Sequence, residues 1–225
     1  MKPHFLNIHT HHKQGYRNGI RCIHNFFPDE LSAKKPDGWF SIGIHPWYIE
    51  NREKASAGLQ TVEKALGHPL CMAAGEAGLD KITEVPWELQ EEIFVMQAKL
   101  AENHNKPMII HCVKAYSELL SIRKDLKSEN TWIFHGFNSS YEMAQQLIQH
   151  GCMLSFGNLL WKEGSKAQAV IKEVEPQYWF LETDDEDISI ESVYEKAAEF
   201  TGINVNDLRV IMQENFKRVF QKELM

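Results

Sequence analysis

The chain has 225 residues, 43% of them hydrophobic, enough to bury a sizeable core and within the span of an α/β barrel, so one domain over 1–225 is expected rather than two. The net charge of -7 argues against a broad basic surface that tracks nucleic acid, although a bound divalent ion can supply positive charge locally. No apolar run approaches the ~18 residues of a membrane span and the opening "MKPHFLNIHTHHK" lacks a signal-peptide core, so a soluble cytoplasmic protein without a membrane partner is expected.

In chain order, "HFLNIH" reads as a first strand. It runs into "NIHTHH", where His9 and His11, two positions apart, leave a strand on one face while His12 points away. Two imidazoles converging on one side can share a metal ion. The next stretch, "HKQGYRNG", is too short for a full helix. Further short runs rich in β-branched and aromatic residues follow: "GIRCIHNF", "WFSIGIH", "LCMAAGE", "PMIIHC", "TWIFHGF", "CMLSFG" and "YWFLETD". Amphipathic helices are expected near 54–66, 87–104, 115–127, 140–150, 163–174, 189–201 and 204–223. Strands alternating with helices make βα units and a parallel sheet. Eight such strands fit a closed (β/α)8 TIM barrel with its first βα unit trimmed, and an open doubly wound sheet is the alternative. Cys22, Cys71, Cys112 and Cys152 sit in apolar segments without C-x-x-C spacing, as reduced buried thiols do.

Most of these strands end in a polar, metal-competent residue although their bodies are apolar: His9 and His11, His45, Glu76, His111, His135 and Asp184. In a barrel of parallel strands the C-terminal ends open on one face, so residues far apart in sequence converge there. Each histidine alone reads as a hydrogen-bonded core imidazole; together they read as one site. Four imidazoles (His9, His11, His111, His135) and two carboxylates (Glu76, Asp184) exceed what one zinc takes, since catalytic zinc uses about three protein ligands plus water. Two metals sharing a carboxylate is the economical arrangement. Glu76 follows Gly75, a small-residue setting with room for a bridge. Nitrogen and oxygen ligands without sulfur suit Zn²⁺, Mn²⁺ or Co²⁺, and Mg²⁺ with more water. Cys112 faces away from the side taken by His111.

With "HTH" at 9–11, "GIHPW" at 43–47, "GEAGLD" at 75–80, "LQEEIFVMQAKLAENHNKP" leading into "MIIHC", "FHGF" at 134–137, "LETD" at 181–184 and "ENFKRVF" at 214–220, the chain resembles the TatD family of metal-dependent deoxyribonucleases, amidohydrolase-like TIM barrels. The resemblance implies that His9, His11 and Asp184 hold one metal, His111 and His135 the other, and Glu76 bridges them. It further implies hydrolysis of a phosphodiester in nucleic acid or a nucleotide, by a metal-activated water whose proton Asp184 takes, with Glu76 and Asp184 as the catalytic carboxylates. No obligate protein partner is evident.

The departures from the family pattern concern the substrate. Asn7 stands where members usually carry Asp, Val113 where they carry Arg, with Lys114 next door as a candidate substitute, and "DEDISIES" follows "LETD" in place of a Pro-containing, Arg/Asn-rich loop. His45, not needed as a ligand, is a candidate phosphate contact, and Trp47 a candidate face for a base. The acidic loop and the missing Arg leave room for a second reading, the same metal pair acting on an ester or aminoacyl bond. A metal-stabilised binding protein without turnover is the third.

Overall fold

A computed structural model of the protein describes residues 3–12 and 19–222. Its strands are β1 (Phe5–Thr10), β2 (Ile20–Phe26), β3 (Phe40–Ile42), β4 (Cys71–Asp80), β5 (Met108–Val113), β6 (Trp132–Phe134), β7 (Met153–Phe156) and β8 (Trp179–Leu181). They lie in one sheet in the order β1 to β8. Pairings β1/β2, β3/β4, β4/β5 and β7/β8 are parallel. A parallel bridge, Thr10 to Asp184, joins the end of β1 to the segment after β8. This is the expected (β/α)8 topology; its trimmed first connection falls on residues 13–18, outside the described ones. Among the described residues no helix is long and apolar enough to cross a membrane, and none of the four cysteines is in a disulfide. Cys22 and Cys112 are only half-buried, not fully buried as their apolar neighbours suggested.

The helices are α1 (Pro28–Ala33), α2 (Arg52–Leu66), α3 (Trp87–Asn103), α4 (Tyr116–Leu126), α5 (Tyr141–Gln149), α6 (Lys166–Glu173), α7 (Ile190–Thr201) and α8 (Val205–Phe220). Five of them start where a short polar side chain accepts the backbone N–H three residues on: Asn51, Ser140, Ser165, Ser189 and Asn204. Helix α7 stops at Gly202, whose left-handed φ of 72° ends it. Helix α1 is an addition to the expected set, since six residues show no resolvable period; Pro28 opens it and the Glu30 carboxylate accepts the Phe27 N–H.

The chain divides into two compact units, one formed by residues 1–24 and 134–225 and the other by residues 25–133. In the first, Leu6, Ile8, Phe156, Trp179, Phe180 and Phe216 are buried. Tyr194 of α7 is fully buried and its hydroxyl bonds both the N–H and the C=O of Leu6, fixing α7 to β1. Asn215 of α8 donates to the carbonyls of Pro176 and Trp179, fixing α8 under β8.

In the second unit every residue of β4 is buried, which requires small side chains where β5 comes close. Gly78 pairs with His111, and a Cβ on it would stand 1.8 Å from the His111 carbonyl oxygen. Gly75 has φ +136°, open to glycine alone, and a Cβ there would meet the Ile109 oxygen at 2.4 Å. Two buried glutamines seven residues apart on α3 grip the backbone at the end of β4 and just beyond β3. Gln97 brackets Ile44, accepting its N–H and donating to its C=O, and Gln90 does the same for Asp80.

Candidate metal centre

In the first unit the seam between β1 and the end of β8 builds the site. The Asp184 N–H donates to the His9 carbonyl and the His11 N–H donates to the Asp184 carbonyl, both at 3.1 Å, which seats Asp184 between the two histidines. Asp184 takes a left-handed φ of 54°, tolerable because a short polar side chain can follow it. Behind the seam, the Asn7 side-chain amide donates to the Thr183 hydroxyl, that hydroxyl to Thr10, and Thr10 to the Asp184 carbonyl, while the Thr183 N–H returns to Asn7 Oδ1. Asn7 is therefore a structural latch at the position where an Asp was expected.

Asp184 Oδ1 consequently lies 3.3 Å from His9 Nε2 and 3.6 Å from His11 Nε2. The His135 ring centroid is 4.6 Å from that of His9. The buried Glu182 accepts the Gly136 N–H at 2.6 Å and lies 3.6 Å from His135 Nδ1; its second oxygen has no hydrogen-bond partner among the described residues.

In the second unit Glu76, on β4, has its N–H held by Asn25 Oδ1 at 2.6 Å. Its Oε1 faces His111 Nδ1 at 2.8 Å and His45 Nε2 at 3.2 Å, and the two rings meet at 3.0 Å. His111 Nε2 reaches Asp80 Oδ2 at 3.2 Å, an oxygen that also accepts the Trp47 indole N–H at 2.6 Å. Burial pushes the Asp80 carboxyl up, but hydrogen bonds from the Ile82 N–H, the Trp47 indole and His111 outweigh it and hold the acid below its ordinary range. Asp80 is thus an anion that keeps His111 Nε2 protonated and turns the Nδ1 lone pair toward Glu76.

The network also assigns His45. The Trp47 backbone N–H donates to His45 Nδ1 at 3.1 Å, so in the neutral ring the proton sits on Nε2. His45 then offers a hydrogen, not a lone pair, toward Glu76 and His111.

These donor sets fit divalent ions. His9, His11 and Asp184 offer ligand atoms within 4.8 Å of one another; His45, Glu76 and His111 lie as close together, but with the hydrogen on His45 Nε2 only Glu76 and His111 of that group present lone pairs. Two donors at the usual zinc distances from a tetrahedral ion stand about 3.3 Å apart. The 3.3 and 3.6 Å separations around Asp184 match that spacing better than the about 2.7–2.9 Å of a charged hydrogen bond.

Of the residues expected from sequence, the first unit brings together His9, His11, His135 and Asp184, and the second His45, Glu76 and His111. Several do not sit at strand ends. Glu76 lies inside β4, which runs on to Asp80, while His45, His135 and Asp184 lie beyond β3, β6 and β8 in the connecting segments. Lys114 is exposed just after β5 with φ 56°. Sequence reasoning missed Asp80 and Glu182. Alternation offered the signal, since Asp80 shares parity with Glu76, and Glu182 with Asp184.

The family model described as TatD related DNase matches residues 28–221. YabD of Bacillus subtilis, named as an uncharacterized metal-dependent hydrolase, is 29% identical over 197 residues, 80% of this chain and 76% of that protein. The human 3'-5' RNA nuclease TATDN2 is 31% identical over 157 residues, 65% of this chain and 20% of the human protein. The crystal structure of YjjV, the TatD homologue of Escherichia coli K12, aligns with a TM-score of 0.85 at 20% identity, covering 99% of this chain and 100% of that one, and so shares the fold. Because the matched stretch takes in every element from α1 to α8 and carries Glu76, Asp80, His111, His135 and Asp184, the chain belongs to the TatD-related DNase family.

Proposed function

We propose that the protein is a divalent-metal-dependent hydrolase that cleaves phosphodiesters, a deoxyribonuclease of TatD type, acting in the cytoplasm as one domain over 1–225. The observation that carries the reading is the seam that seats Asp184 between His9 and His11 at the spacing of shared ligands. The names of YabD, a metal-dependent hydrolase, and of TATDN2, a nuclease, support it. His9, His11 and Asp184 would hold one ion, His111 and His135 a second, and Glu76 would bridge them. Bound ions of this kind, Zn²⁺, Mn²⁺ or Mg²⁺, make water acidic near neutral pH and neutralise charge on phosphoryl oxygens.

The chain's own groups divide the remaining work. The Asp184 side chain, 35% exposed, orients the attacking water and takes its proton. His45 would contact a phosphoryl oxygen by exchanging the present partners of its Nε2 hydrogen, Glu76 and His111, for it, and Lys114 adds positive charge at the rim. A second reading, attack on an ester or aminoacyl bond, is favoured by Val113 in place of Arg and by the exposed Asp185, Glu186 and Asp187.

The test is reconstitution with Mn²⁺ or Zn²⁺, elemental analysis, and assay on single-stranded DNA, a chromogenic phosphodiester and an aminoacyl ester. Up to two ions per chain and chelator-sensitive phosphodiester cleavage are expected, with the paired His9→Ala and His11→Ala changes lowering metal content in a folded protein. Protein that takes up no metal, or that cleaves the ester alone, would overturn the phosphodiesterase reading.

A further inference from the structure

A groove of about 910 Å³ opens beside His45 between α1 and α2, at the upper end of small-ligand pockets. Its lining includes the aromatic residues Phe27, Trp47 and Tyr48 and the small residues Ala57 and Gly58. Phe27 meets Tyr48 edge to face with centroids 4.9 Å apart, yet Tyr48 stays 60% exposed and Trp47 54%. Two large aromatic rings left open beside a buried histidine form a platform for a planar ligand.

The rim decides what kind of planar ligand. It carries Asp29, Glu30 and Glu50 against one cation, Lys54, which Glu50 already holds. Such a rim repels phosphate and accepts hydrogen bonds from N–H groups. The groove is continuous with the carboxylate and imidazole cluster through His45, whose Nε2 lies 3.2 Å from Glu76 Oε1.

We infer that this groove takes the nucleobase of the nucleotide under attack, stacked on Tyr48 and Trp47 with its N–H donors toward the acidic rim. The inference rests on the phosphodiesterase reading.

Adenosine tests the site without a scissile bond, because its ring stacks and its exocyclic amino group donates. On the Mn²⁺-loaded full chain, calorimetry should show adenosine binding that ribose does not compete with. Tyr48→Ala should weaken it about tenfold, the range for losing one stacking partner, while Tyr48→Phe holds it within about twofold. Ala57→Phe, on an exposed position of α2, should block it by filling the groove. Adenosine that fails to bind, or binds with no response to Tyr48→Ala and Ala57→Phe, overturns the base site even if the protein cleaves phosphodiesters. Binding with the stated sensitivities in a protein that cleaves only esters leaves the base site standing and removes the reaction class.

Discussion

Asp184 combines three constraints in one residue: a backbone that bonds both His9 and His11, a left-handed φ, and a carboxylate shared between two imidazoles. Asparagine meets the first two and lacks the third. Asp184→Asn should therefore keep the fold and the seam while turnover falls about 10²-fold or more, the range for removing a general base; circular dichroism and rate measurements check both halves. Asp80 acts one step further out, since its oxygens serve the Trp47 indole, the Ile82 N–H and His111 at once. Asp80→Asn exchanges one acceptor oxygen for a donor that faces other donors. A loss of about 1–3 kcal/mol in stability is expected, with metal affinity weaker by about 10–100-fold, measured by denaturation and by metal titration. Unchanged affinity would show that His111 is oriented by something other than Asp80.

At the scale of elements, β4 is the strand on which the second unit depends. It alternates its chemistry, with Glu76, Gly78 and Asp80 of one parity, and its contact with β5 is so close that a methyl group at Gly78 would collide with the His111 backbone. Relief requires moving β5 and His111 with it. Gly78→Ala is expected to cost about 3–5 kcal/mol, at the severe end of single substitutions. Gly67→Ala, whose Cβ would meet its nearest neighbour at 3.6 Å, should change stability by less than about 1 kcal/mol. Urea melts of the two variants separate a steric cause at β4 from a general intolerance of lost glycine. Helix α3 supports the same strand through Gln90 and the β3 end through Gln97, which explains why two amides occupy its buried face.

For the whole molecule, the balance of charge bears on the substrate. A net charge of -7 with Asp185, Glu186 and Asp187 exposed beyond the metal-ligand candidate Asp184 opposes a long polyanion. Glu186 is partly engaged, accepting from Asn158 at 2.6 Å, so Asp185 and Asp187 are the changes to make. Asp185→Asn with Asp187→Lys should raise turnover on DNA severalfold relative to a small phosphodiester, and the gain should shrink at high salt as screening removes the repulsion. Vigorous digestion of DNA by the unmodified protein, unaltered in the double variant, would show that the loop plays no such part.

Periodicity alone determined the alternation of strands and helices, because burying one face of each element imposes a pattern that local sequence must carry. It also placed His9, His11, Glu76, His111, His135 and Asp184 on or near the ends of apolar runs, and the motifs around them carried the family resemblance. Tertiary structure decided what those side chains face. No spacing in the sequence says that Asn7 and Thr183, 176 positions apart, latch β1 to β8, or that Trp47 fixes the tautomer of His45 and shares Asp80 with His111. The buried Gln90, Gln97 and Glu182 stayed hidden for the same reason: a polar residue in an apolar run records only that some partner exists, and the partner is a backbone group that any residue type provides. The reach of β4 through "AGLD" was likewise illegible, since glycine and alanine carry little strand preference and are there only because β5 lies against them.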